Sequence, residues 1–324
     1  MLFITKSSAQ HWPARTHIKD LRQRLFHSLS MVLFTVLLAP NLMPVESSIA
    51  LSSTARDHDD AAAKPAASMS ATRATVHDGS LFIGAYGGIP YTYPSDVRTI
   101  RPNGTDFTLH KVPWRGEQFK APIYYGVRVA KWSDRAPFGA MLDFTHSKTI
   151  SNRRETVRQS GRLDGQTIPP EARINDIFRK LEFSHGHNML TLNGLYRLPV
   201  KIGVISPYMG VGAGISIPHT EVRFKGDLTR TYEYQYTGPA FQALFGLEFQ
   251  LPKMSIFLEY KFTFADYRAP LTFRDGAWVI QDLWAQFKDW RAGISGDKGS
   301  LSTQLVSHQI IGGLGVRINR TLAH

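Results

Sequence analysis

The chain has 324 residues, 43 % of them hydrophobic and 11 % aromatic, with 26 glycines, no cysteine and a formal charge of +12. That length suits one large domain or two small ones, and a mean hydropathy of −0.20 excludes a bundle of membrane-crossing helices. Without cysteine there are no disulfides, no zinc–thiolate or iron–sulfur chemistry and no N-terminal lipoprotein anchor.

The positive charge carries no Lys/Arg run with interleaved aromatics on one periodic face. A positive surface facing anionic lipid head groups is an equally physical reading of that charge, and no nucleic-acid partner is expected.

Residues 1–30 are polar and basic, with Lys6, Arg15, Lys19, Arg22 and Arg24 against one acid, Asp20. The apolar run Met31 to Pro40 follows. About ten apolar residues behind a basic segment read as a secretory signal, because a spanning helix needs about 20. The small residues near Ser48-Ile49-Ala50 offer a cleavage point, so residues 1–50 are assigned to the signal. Residues 51–79, rich in Ala, Ser, Thr and Asp, have little to bury and read as a disordered periplasmic spacer.

From residue 80 to 324 the pattern is strands and turns. Eight strands are predicted: Leu81–Ile89, Pro122–Trp132, Phe138–His146, His187–Leu198, Ser206–Ile217, Ala240–Leu251, Met254–Ala265 and Gln304–Ile318. Each is near the ~9–11 residues that a tilted strand needs to cross hydrocarbon. The connections after the second, fourth and sixth are short and the others long. This predicts an all-β fold, an eight-stranded antiparallel transmembrane β-barrel of outer-membrane type. Short turns and the N-terminus would be periplasmic, and long loops extracellular.

Parity supports it. Ile123, Tyr125, Val127 and Val129 share one face, and Tyr124, Gly126, Arg128 and Ala130 the other. Ile256, Leu258, Tyr260, Phe262 and Phe264 would face lipid, with Ser255, Glu259, Lys261 and Thr263 inside. A soluble sandwich would alternate similarly, so the signal segment, the loop asymmetry and the aromatic residues near strand ends decide.

The same parity turns Arg128, Asp143, Thr145, Asn193, Gln242, Glu248, Glu259 and Lys261 into the lumen. Internal ion pairs are ordinary in a barrel of this size, so Glu259 with Arg128 or Lys261 reads first as a structural network. Chemistry is sought at the outer mouth. Asp143 and His146 sit where the third strand leaves, His146 on the opposite parity to Asp143.

Glu182, His185 and His187 lead into the fourth strand. Its alternation places Met189, Thr191, Asn193 and Leu195 on one face, and following that face back brings His187 and His185 to a common side. Two imidazoles and a carboxylate can hold a divalent metal with positions left open, or act as general acid and base. The candidate metal ligands are therefore His185, His187 and Glu182, and the candidate catalytic residues Asp143, His146, Glu259 and Arg128. The glycine run Gly210 to Gly214 lies inside a strand and not between strand and helix, so no flavin or nicotinamide site is expected.

Several stretches resemble the rhizobial lipid A oxidases. They are YGGIPYTYPSDVRTIRPNGTDFTLHKVPWRGEQFKAPIYYGVR from Tyr86 to Arg128, then LDFTHSKT, DIFRKLEFSHGHNMLTLNGLYR, PYMGVGAGISIPHTEV, YEYQYTGPAFQALFGLEF and FLEYKFTFAD. The likeness covers about Leu81 to Asp266 and the last strand. It implies an outer-membrane enzyme that oxidises the proximal glucosamine of lipid A to 2-aminogluconate. Molecular oxygen would be the co-substrate and hydrogen peroxide a product. Lipopolysaccharide and outer-membrane lipid would be the partners, and the barrel a monomer.

The segment GAWVIQDLWAQFKDWRAGISGDKG is longer and richer in Trp than the family suggests, and the chain ends VRINRTLAH without a terminal aromatic residue. A non-catalytic structural or small-solute barrel of the OmpA or OmpW kind is the alternative. A lipid A deacylase is another, using Ser307 and His308, although adjacent residues of a regular strand point to opposite faces.

Overall fold

The computed structural model describes residues 79–318. The signal and nearly all of the spacer, and the last six residues, lie outside them. Sixteen strands form, in order β1 Leu81–Thr92, β2 Ser95–Arg101, β3 Thr105–Val112, β4 Trp114–Arg115, β5 Tyr125–Trp132, β6 Phe138–Ser151, β7 Thr156–Leu163 and β8 Gln166–Thr167. Then come β9 Glu171–Arg173, the short helix α1 Ile174–Ile177, β10 Phe178–Arg197, β11 Ile205–Ser216, β12 His219–Phe224, β13 Thr231–Tyr234, β14 Gly238–Gln250 and β15 Met254–Pro270. Helix α2 Val279–Arg291 and β16 Ser300–Ile318 complete the fold.

Eight strands pair antiparallel in a closed ring, β1-β5-β6-β10-β11-β14-β15-β16 and back to β1. They are the eight strands expected from sequence. The pairing runs from Leu81 opposite Ile318 at one seam to Arg128 opposite Asp143 and Gly246 opposite Glu259 elsewhere. Alternation places Arg128, Asp143, Thr145, Asn193, Gln242, Glu248, Glu259 and Lys261 in the buried interior, as expected. It turns Val127, Val129, Leu142, Leu192, Leu258, Ile310 and Leu314 outward, all exposed. The glycine-rich run lies within β11.

The connections depart from expectation. At one end they are short, and at the other they are structured where long loops were expected. Together these form a crown. Ring strands run on into it: β10 has 20 residues, β15 has 17 and β16 has 19. The upper part of β16 pairs with β2, and that of β10 with β12. The physical reason is a second core. Val97, Phe107, Leu109, Phe178, Leu181 and Phe183 pack as one buried cluster, so short strands with one apolar face find partners there that their isolated lengths do not advertise.

Candidate functional site

The candidate residues fall in two polar assemblies, one inside the ring and one outside at its crown end. Inside, Arg128 donates to both oxygens of Glu259 (2.9 and 3.0 Å) and to Asp143 Oδ1 (3.2 Å). Lys261 Nζ donates to Asp143 Oδ2 (2.6 Å), Tyr86 OH (2.7 Å) and Thr145 Oγ1 (3.1 Å). Tyr208 OH donates to Glu259 Oε2 (2.7 Å) and Gln242 Nε2 to Asp143 Oδ2 (3.1 Å).

Two cations face two carboxylates, so the charge closes on itself. Buried charges require such pairing, because desolvation costs several kcal/mol per ion. Gly126 makes room for it: a side chain there would meet the Tyr86 ring at 1.9 Å. Below, Arg197 meets Glu248 at 2.8 Å and lies over the Trp132 ring. The gap left among Phe82, Arg128, Met141, Tyr208 and Glu248 is only about 20 Å³. Asp143, Glu259 and Arg128 are thus engaged with one another, and the gap beside Arg128 is too small for a substrate.

His146 lies on the outward face, apart from those three, as its parity indicated. Its ring stacks on Tyr125 at 4.8 Å between centroids, and its Nδ1 bonds Asn188 Oδ1 at 2.8 Å. The candidate catalytic set is therefore divided between the two faces of the wall.

The histidine pair is divided too, which corrects the expectation that His185 and His187 share a side. The β10–β6 register shifts between Phe183 and His187, so that Ser184, His185 and Gly186 stand against Lys148 alone. Such extra residues make a bulge that re-aims side chains. Gly186 sits at its centre with φ +143°, where a Cβ would meet Asn188 at 2.5 Å. Below the bulge His187 points inward, buried, with its Nδ1 on Tyr267 OH. Above it His185 points outward and is exposed.

His185 stands in the second assembly. Its Nε2 is 3.3 Å from Tyr232 OH and its Nδ1 3.2 Å from Ser184 Oγ, which in turn donates to Glu182 Oε1 (3.1 Å). The ring of His219 lies 5.1 Å from that of His185, 4.2 Å from Tyr232 and 4.6 Å from Tyr234. Lys180 reaches Glu182 at 2.8 Å and Glu221 at 3.7 Å; Arg230 reaches Glu221 at 2.9 Å and covers the Tyr232 ring at 3.9 Å.

Burial, and then the adjacent His185, hold the His219 imidazole down to about 4, so it is neutral at pH 7. Burial, and then the neighbouring Glu182 carboxyl, push Glu221 up. The site thus offers neutral imidazole, a pair of adjoining carboxyls and two cations near the surface.

Glu182 and His185 are brought together, bridged by Ser184, while His187 is not. The three do not form a metal set, and among the described residues no group of three or more His, Asp or Glu is arranged to hold a metal ion. Sequence reasoning missed His219, Glu221, Arg230 and Tyr232 because the stretch from Pro218 to Pro239 read as loop. The signal was the alternation of His219-Thr220-Glu221 and Tyr232-Glu233-Tyr234 around a Lys225-Gly226-Asp227 turn. Ser307 and His308 take opposite faces as expected: Ser307 bonds Thr92 Oγ1 inside, and His308 meets Tyr93 and Tyr260 outside.

No protein-family model matches the chain, and no curated protein does. Among solved structures it is similar to Neisserial surface protein A (NspA), at 7 % identity over 74 % of this chain and 99 % of that one, with a TM-score of 0.32. A likeness so slight carries no argument.

Proposed function

We propose that the chain is an eight-stranded outer-membrane β-barrel that oxidises lipid A from the outside of its wall. The observation that carries this reading is the position of the His185 assembly, on the outward face just beyond the apolar belt. That belt runs along β10 from Tyr196 to below Asn188. At ~3.3 Å per residue those eight positions span about 26 Å along the strand, or about 20 Å once tilted, close to the ~25 Å of an outer-membrane apolar band.

Tyr91, Tyr93, Tyr125 and Tyr260 ring its crown margin, where aromatic side chains favour the head-group level. With the short turns and N-terminus periplasmic, the crown faces outward, and the assembly stands level with the sugars and phosphates of the outer leaflet.

A lipid of this kind reaches such a site without leaving the membrane. Lys180 and Arg230 suit its phosphates. His185 takes the hydroxyl proton of the proximal hemiacetal; the C1 hydrogen and two electrons, passed one at a time because oxygen is a triplet, reduce molecular oxygen to hydroperoxide, and the proton held on His185 completes the hydrogen peroxide that leaves. Water then opens the lactone, so the sugar loses two hydrogens and gains H2O, a net gain of one oxygen. The resemblance to the lipid A oxidases supports this choice of reaction. The filled interior speaks against a small-solute conduit, and the opposed faces of Ser307 and His308 against a deacylase pair.

The test is the lipid A mass spectrum of a Gram-negative host whose lipid A lacks the 1-phosphate, expressing this chain with and without air. A gain of one oxygen that needs air is expected. An unchanged spectrum with folded protein would favour a structural barrel, and a lost acyl chain a deacylase.

A further inference from the structure

Helix α2 is mounted the wrong way round for a water-soluble fold. Its polar side is the docked one. Asp282 Oδ2 accepts from the Tyr234 amide (3.0 Å). Gln286 accepts from the Tyr236 amide and donates to its carbonyl, both at 2.8 Å. Asp289 pairs with Arg274 at 2.5 Å. These residues recur at three- and four-residue spacing and so share one face.

The opposite face carries Ile280, Trp284 and Phe287, flanked by Trp278 and Trp290, and all are exposed; Ile280 is 84 % and Trp284 60 % accessible. Trp284 and Phe287 stack at 5.4 Å. An amphipathic surface helix buries its apolar stripe, and this one presents it.

We infer that α2 lies in the outer leaflet beside the wall, its aromatic face against acyl chains and its cations among anionic head groups. This rests on reading the ring as membrane-spanning. Three observations select lipid as the occupant. The helix is fastened at Tyr234 and Tyr236, only two to four residues beyond Gly238, where β14 enters the ring; its exposed face therefore adjoins the level at which the apolar belt ends. Exposed Lys288 and Arg291 in its last turn complement anionic head groups. The exposed Trp278, Trp284 and Trp290 are of the residue type enriched at membrane interfaces. The same helix flanks β13, which carries Tyr232 and Tyr234 of the His185 assembly, so the acyl chains it holds would belong to the lipid presented there.

The absence of native cysteine allows a direct test on the full chain. Single variants Ile280→Cys and Phe287→Cys on the helix, Leu258→Cys on the wall and Leu228→Cys in the water-exposed turn are labelled with the fluorophore NBD. Each is folded into vesicles of phosphatidylcholine and phosphatidylglycerol with ordinary or brominated acyl chains. All four sites are exposed in the protein, so none of the labels disturbs packing.

The expected result is loss of emission in brominated vesicles for both helix labels and the wall label, with iodide in the water quenching only the Leu228 label. Helix labels quenched by iodide but not by bromine, beside a bromine-quenched wall label, would overturn the inference and leave the barrel reading intact. A wall label untouched by bromine would remove the membrane reading and this inference with it. Helix labels shielded from both quenchers would assign the face to a second copy of the chain and overturn lipid as the occupant.

Discussion

Strand β15 passes through two environments that sort the same residues in opposite ways. From Met254 to Phe264 it turns Ile256, Leu258 and Tyr260 outward and Ser255, Glu259 and Lys261 inward. From Ala265 to Pro270 it turns Ala265, Tyr267 and Ala269 inward and Asp266 and Arg268 outward. Its neighbour β16 changes at the same height, where Gln304 pairs with Asp266 and donates to it at 3.2 Å. On the far wall the change falls at Asn188 and His146, also paired. The ring is inside-out and the crown is conventional. Inside the ring the charged network lies beside an apolar cluster that includes Phe82, Trp132, Met141 and Phe257, and its charges are tolerated because each meets a partner, whereas the crown relies chiefly on apolar burial.

The contrast is open to attack at several points. The largest effect should come from Arg128→Ala, which leaves Asp143 and Glu259 buried without their shared cation. Loss of about 3–5 kcal/mol is expected in urea unfolding followed by gel mobility. Removing the exposed crown cation Arg98, paired with Asp106 across open surface, should cost about 0–1 kcal/mol. Equal costs would erase the distinction between the two regions.

A somewhat smaller loss, about 2–4 kcal/mol, is expected when Leu258→Arg puts a charge in mid-belt, while Gln304→Arg above the margin should change little. Refolding yields of the two variants in lipid vesicles report this, and tolerance at Leu258 would contradict a lipid-facing belt.

The crown hairpin should respond to acid. The folded pKa of His219, about 4, lies below the usual 6.5. As pH falls the unfolded hairpin binds the proton first, so its contribution is whole above about 6.5 and is lost on the way down to about 4. The total is up to about 3 kcal/mol by linkage. Hydrogen exchange of residues 219–234 should speed up across that window while ring amides stay protected; uniform protection would show that His219 charges without cost. A small effect, about 1 kcal/mol, is expected for Asn188→Ala, which removes one hydrogen bond from His146 and is visible as a modest shift of the melting midpoint.

The ring was legible because period-two alternation over eight or more residues is a strong signal, and the inward set around Arg128 and Asp143 followed from it. The crown was not. Its strands β12 and β13 have six and four residues, too short to stand out, and their core partners lie far off in the chain. The site was half legible. Glu182 and His185 were found, but the bulge at Gly186, which a strict two-residue period does not foresee, sends His185 outward while His187 keeps the inward parity of Met189 and Thr191. His219 and Glu221 join only because β12 pairs with the upper part of β10.

The most direct measurement compares lipid A spectra from cells making the unaltered chain, His185→Ala and His187→Phe, in air and without it. The expected result is an air-dependent gain of one oxygen in the first, its loss in His185→Ala with the protein still folded, and turnover retained in any His187→Phe protein that folds. Full turnover in His185→Ala, or no added oxygen from the folded unaltered chain, would contradict a catalytic site on the outer wall.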